Sequence, residues 1–146
     1  YEAKRYIDEY FAAHKPIRDF LDKTLIQASE EGFVETFYGR KRPTPDVNSK
    51  NFMVREMAKR AAANMPIQGT EADLMKRAML AVDEKITQSG LGEQILQIHD
   101  SIMIETSKEN AEKVTQALKQ EMENIAPELP IKLKVDVSAG ENWLKL

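Results

Sequence analysis

Along the opening of the chain, Tyr6, Tyr10, Ile17, Leu21, Leu25 and Ala28 recur at spacings of three, four and seven. That period predicts helix over 1–31. Pro16 has no N–H to donate and predicts a division into two pieces, and Gly32 supplies the stop. The pattern then shortens. Val34, Thr36, Phe37 and Tyr38 precede Gly39 and two prolines, which predicts a small hairpin turning near Tyr38-Gly39-Arg40 and then an irregular loop.

Helical spacing returns with Phe52, Arg55, Met57 and Ala61, with Asn48 or Ser49 as the cap and an end near Ala63, because Pro66 and Gly69 interrupt the pattern. Thr70, with Asp73 three positions on, reads as a capping box opening a new helix, which buries Met75, Ala78, Met79, Val82 and Ile86 and stops at Ser89-Gly90. Two alternating segments follow at 94–98 and 102–106, parted by His99-Asp100-Ser101. Ser107 caps a helix with Ala111, Val114, Leu118, Met122 and Ile125 on one face, closed by Pro127 and Pro130. Residues 131–140 alternate apolar and charged as a final, half-exposed strand, and Trp143 and Leu144 are expected to dock the tail. The order predicts an α+β fold, a small antiparallel sheet packed on helices.

Composition narrows the classes. The chain has 146 residues, 42% hydrophobic and 31% charged, the balance of a globular domain able to bury a core. It has no cysteine, which excludes disulfides, thiolate zinc sites and cysteine nucleophiles. No apolar run reaches the roughly 18 residues of a membrane span, and no signal-peptide pattern is present, so no membrane partner is expected. The chain opens at Tyr1 inside a charged helical pattern, which we read as the mark of an excised piece. The net charge of −3 is uneven. Arg40, Lys41, Arg42, Lys50, Arg55, Lys59 and Arg60, set against Asp46 and Glu56, give +5 over 40–60 and leave −8 elsewhere. Such a zone suits a polyanion, since nucleic-acid affinity comes largely from Lys and Arg neutralising phosphates; it also suits a solvated helix face.

Two constellations carry candidate chemistry. If 98–102 is a tight turn, Ile98 and Ile102 pin the strands while His99 and Asp100 project from the tip. A carboxylate on rigid strand ends is a suitable hard ligand for Mg²⁺, which takes one or two carboxylates plus substrate phosphates; an ordinary polar turn has the same composition. Arg60 and Asn64 share a helix face, and Gln68 follows beyond Pro66. Donors of this kind suit the minor groove, whose base edges offer acceptors at every pair; they equally suit a polar helix end.

The order of these stretches is more specific than either alone. "YGRKRPTPDVNSKNF" precedes "NMPIQGTEADLMKRAM", and "QIHDS" follows downstream. Together they resemble the carboxyl-terminal part of the polymerase domain of family A DNA polymerases, the bacterial DNA polymerase I type, from the first residues to Trp143. The resemblance implies the base of the fingers and a basic hairpin over about 1–48, and palm with motif C over about 49–146. It makes Asp100 a ligand of the two catalytic Mg²⁺ ions, shared with a motif A aspartate upstream, and places His99 against the primer terminus. Arg60, Asn64 and Gln68 then track primer–template DNA, and Gly39, Arg40 and Arg42 contact template or backbone. The implied reaction is addition of dNTPs to a primer 3′-hydroxyl, in a bacterial or phage-encoded cytoplasmic enzyme. Ser101 departs from the family's usual second acid. This stretch contains no counterpart of motif A, the fingers helix or the thumb, so the 146 residues alone are expected to be inactive. The alternative is a non-enzymatic nucleic-acid-binding module using the 40–60 zone, or a structural domain whose charges are only solvated.

Overall fold

The computed structural model describes residues 2–145. Pro16 divides the first helical stretch as its chemistry requires: α1 spans Glu2–Ala13, and α2 spans Lys15–Glu30 with the proline in its first turn, where the missing N–H costs nothing. Gly32 follows at φ 75°, a conformation that glycine adopts freely. β1 (Phe33–Glu35) and β2 (Lys41–Pro43) pair antiparallel with Val34 opposite Arg42. Gly39 turns the hairpin at φ 78°. A short 3₁₀ turn, Pro45–Asn48, leads on.

α3 runs unbroken through Phe52–Val82 with Pro66 inside it. The expected interruption at Pro66 and Gly69 does not occur. Pro66 cannot donate to the Ala62 carbonyl, yet the helix continues: within it the Thr70 hydroxyl donates back to the Pro66 carbonyl at 2.5 Å, and from the hairpin the Arg40 guanidinium donates to the Gly69 carbonyl at 2.9 Å. Thr70 is therefore mid-helix and not a cap. The α3 N-terminus is capped by Asn51, whose side-chain oxygen accepts from the Met53 and Val54 N–H groups, and not by Asn48 or Ser49. A π-helical turn, Asp83–Thr87, carries the chain on to Gly90.

β3 (Glu93–Ile98) and β4 (Ser101–Glu105) form the second hairpin, with a bulge at Ile95. α4 spans Ala111–Glu123; Ser107 sits a turn before it and accepts from the Asn110 N–H. The sheet content is thus two separate two-stranded ribbons. The strand expected at 131–140 is not formed. The segment keeps its alternation, with Leu133, Val135 and Val137 half-buried, but has no ladder partner among the described residues. Trp143 and Leu144 are 60% and 95% exposed and do not dock.

The chain forms two compact units, divided between Thr70 and Glu71. In the first, Ala28, Val34, Val47, Ala62 and Met65 make the core. The α1 stripe contributes nothing to it: no residue of α1 is buried. In the second, Met75, Ala78, Val82 and Ile86 pack with Val114, Leu118 and Met122, positions the helical period selected; Met79, also expected in the core, is only half-buried. Ile102 packs against this cluster, whereas Ile98 is left 38% exposed, so only one of the two isoleucines anchors the hairpin.

Candidate polymerase site

The β3–β4 turn has two residues, His99 and Asp100, between the paired Ile98 and Ser101. So short a turn needs positive φ, and His99 provides it at φ 51°, the one non-glycine residue so placed among those described. Two side chains secure the turn. The Gln97 amide donates to the His99 carbonyl at 2.5 Å, and the Ser101 hydroxyl donates to the Ile98 carbonyl at 2.8 Å. Ser101, where a second acid was expected, thus closes the turn with a donor that an ionised carboxylate lacks. Both tip residues are exposed. The Asp100 carboxylate faces solvent, not an apolar core.

The other candidates precede Thr70. Arg60, Asn64 and Gln68 follow one another at i+4 along α3 and are all exposed. Because α3 does not break, Gln68 stays on the face of Asn64 without any redirection by Pro66. Asn64 and Gln68 line a groove of about 550 Å³ with Pro16, Ile17, Phe20 and Ile67. Arg42 projects from β2 and is exposed. Arg40 donates to the Gly69 carbonyl.

The basic zone is less available than its count suggests. Lys59 pairs with Glu56 at 3.3 Å, and Arg55 reaches the same carboxylate at 3.9 Å while bonding the Ser49 carbonyl. Lys41 lies 4.0 Å from the centre of the Phe33 ring. Arg42, Lys50 and Arg60 remain as exposed cations.

Comparison with known proteins decides the family. The profile of DNA polymerase family A matches residues 1–145. The chain belongs to DNA polymerase family A. It is 43% identical over 143 residues to DNA polymerase I of Pseudomonas aeruginosa, covering 97% of this chain and 16% of that protein. The thermostable DNA polymerase I of Thermus aquaticus is 42% identical, with coverage of 98% and 17%. A solved structure, the POL domain of Pol1 from M. smegmatis in complex with DNA primer-template and dNTP, superposes with a TM-score of 0.90 at 39% identity, over 97% of this chain and 25% of that one. The chain therefore spans about a sixth of the length of these curated polymerases.

Family A DNA polymerases are generally metal-dependent, and the residues present can be set against that need. Among the described residues no group of three or more His, Asp or Glu side chains could hold a metal ion. Asp100 offers an exposed hard oxygen pair on a fixed turn, which fits one ligand of a Mg²⁺ site whose other ligands are water, phosphate and a further carboxylate. It fits as a contributor, not as a whole site. Among the described residues no helix is long and apolar enough to cross a membrane.

Gly69 and Thr70, which the sequence marks as a break and a cap, lie inside α3, where the Gly69 carbonyl accepts from Arg40 and the Thr70 hydroxyl from the Phe37 N–H. A threonine after a glycine looks like a helix start; here its hydroxyl instead donates back to the Pro66 carbonyl inside the helix.

Proposed function

We propose that these residues are part of a DNA-directed DNA polymerase, supplying the motif C aspartate and the face that follows the primer–template duplex. On this reading about 1–48 is the base of the fingers with the basic hairpin and about 49–146 is palm, in a cytoplasmic enzyme of bacterial or phage origin. The observation that carries it is the exposed Asp100 carboxylate on a two-residue turn, within a chain matched over residues 1–145 by a polymerase family. The relatives' length, and the apolar Ile95 and Ile98 left open on β3, fit a piece that needs the remainder of a polymerase chain as partner.

Asp100 would hold Mg²⁺ jointly with a carboxylate from elsewhere in that chain. When bound, the two ions supply activation of the primer 3′-hydroxyl and charge neutralisation on the leaving pyrophosphate of the dNTP. His99, fixed at positive φ beside the aspartate, positions the primer terminus; we assign it no proton transfer. Arg60, Asn64 and Gln68 donate along the minor groove, where a mispair moves the acceptors and leaves donors unpaired at about 1–3 kcal/mol each. Arg42 and Lys50 add phosphate neutralisation.

The test is Asp100→Asn in the complete polymerase carrying these residues. Templated incorporation should be lost while affinity for primer–template is kept nearly intact. An Asp100→Asn enzyme that extends primers normally overturns the assignment and leaves a nucleic-acid-binding module as the better reading. The 146 residues alone, given DNA, dNTPs and magnesium, are expected to give no extension.

A further inference from the structure

The first hairpin is hydrogen-bonded to α3 at the point where the helix crosses Pro66 and Gly69. The turn of the hairpin is rigid in itself: the Thr36 N–H donates to the Arg40 carbonyl at 3.0 Å, the Gly39 N–H donates to the Thr36 carbonyl at 2.9 Å, and the Arg40 N–H donates to the Thr36 hydroxyl at 3.1 Å. Two bonds then cross to the helix. The Arg40 Nη2 donates to the Gly69 carbonyl at 2.9 Å, and the Phe37 N–H donates to the Thr70 hydroxyl at 2.8 Å, which itself donates to the Pro66 carbonyl. Gly69 allows the approach: a Cβ there would lie 2.7 Å from the Thr36 Cγ2. The bonds therefore land on the helical stretch that propensity alone would break, immediately beside Gln68.

We propose that Arg40 is a positioning residue, not a DNA contact: with Thr70 it keeps α3 helical past Pro66 and so holds Gln68 on the face of Asn64 and Arg60. This rests on the reading of that face as the duplex-tracking surface. The Gly69 carbonyl is an internal acceptor for the guanidinium, so the cation acts on the helix and not on a phosphate. Loss of the latch removes the donors that Arg40 and the Thr70 hydroxyl add to the Gly69 and Pro66 carbonyls beyond the helix's own bonds, and lets the turn carrying Gln68 leave the ridge.

The experiment uses the complete polymerase with Arg40→Gln, Thr70→Val, Gln68→Ala and the Arg40→Gln/Gln68→Ala double substitution. Single-turnover extension is measured from matched and mismatched primer ends, together with DNA affinity across a salt series. Arg40→Gln is expected to lower matched-over-mismatched discrimination to the Gln68→Ala level, on the order of tenfold for one lost donor. The double substitution should do no further harm, Thr70→Val should reproduce the loss with no change of charge, and the salt slope should stay unchanged. A slope reduced by about 0.9 in Arg40→Gln, the signature of one phosphate contact, overturns the proposal. So do losses that multiply with Gln68→Ala, or normal discrimination in Thr70→Val. Normal discrimination in Gln68→Ala overturns the duplex-tracking reading itself, and this proposal with it.

Discussion

Replacing Gly69 by alanine sets two effects of opposite sign against each other. Helix propensity favours alanine over an interior glycine by about 0.8–1.0 kcal/mol. The new Cβ, however, would lie 2.7 Å from the Thr36 Cγ2, 3.3 Å from the Met65 Cε and 3.4 Å from the Arg40 Nη2. Met65 can give, being the end of a flexible side chain. Thr36 cannot: it is 4% exposed, and its hydroxyl is tied to the Arg40 N–H. Overpacking of a close-packed site costs about 1–3 kcal/mol, so Gly69→Ala is expected to destabilise by about 1 kcal/mol net. In urea unfolding of the chain this lowers the midpoint by roughly 0.5 M at the slope usual for small proteins. The cause is checked by a cycle with Thr36→Ser, which removes the Cγ2 and keeps the hydroxyl. In that background Gly69→Ala should become stabilising by up to about 1 kcal/mol, a coupling of about 2 kcal/mol, within the range for residues in contact. A raised midpoint for Gly69→Ala in the unaltered chain, or the same effect in both backgrounds, would refute the contact argument.

Two further outcomes test the second unit. Ile86 is fully buried among Val82, Val114 and Leu118, so Ile86→Ala should cost about 2–5 kcal/mol and Ile86→Val about 0.5–1.5 kcal/mol, both read from denaturation midpoints; a cost below 1 kcal/mol for the alanine variant would mean the core is not packed as described. Glu93 stands directly opposite Glu105 across the hairpin, both exposed, and Glu93→Lys should stabilise by about 0.2–1 kcal/mol at low salt, a gain that fades as salt rises. A salt-independent response would remove the charge explanation.

Much of this was legible in the chain because it depends on local chemistry. The period of Met75, Ala78, Val82 and Ile86 named the second core, since burial follows the helical repeat whatever lies opposite. Pro16 and Gly39 marked a helix start and a hairpin turn for reasons internal to the backbone. The misreadings share another origin. Pro66 and Gly69 break a helix by propensity, and what we propose offsets that comes from the distant hairpin, where Arg40 donates to the Gly69 carbonyl and the Phe37 N–H to the Thr70 hydroxyl. Residues 131–140 have the alternation of a strand, but a strand also needs a ladder partner, and alternation cannot supply one. Trp143 looked like an anchor because large aromatic groups are usually covered; it is exposed here. At the site, a tight turn with His99 and Asp100 at its tip was readable from the polar triplet, but Ser101, read as part of the turn, is the first residue of β4; its turn-closing bond and the engagement of Arg55 and Lys59 with Glu56 depend on side-chain directions that spacing does not report.

The claim on which the functional account rests is that the Asp100 carboxylate binds a catalytic cation. It is tested most directly by counting Mn²⁺ bound to the complete polymerase with a 3′-deoxy-terminated primer–template and dNTP, using electron paramagnetic resonance to measure the free ion. The account predicts two tightly held ions per complex, with Asp100→Asn weakening at least one of them on the order of 100-fold or more, since even groups outside the ligand set change affinity 10–100-fold, while Ser101→Ala leaves both in place. Unchanged stoichiometry and affinity in Asp100→Asn would contradict it.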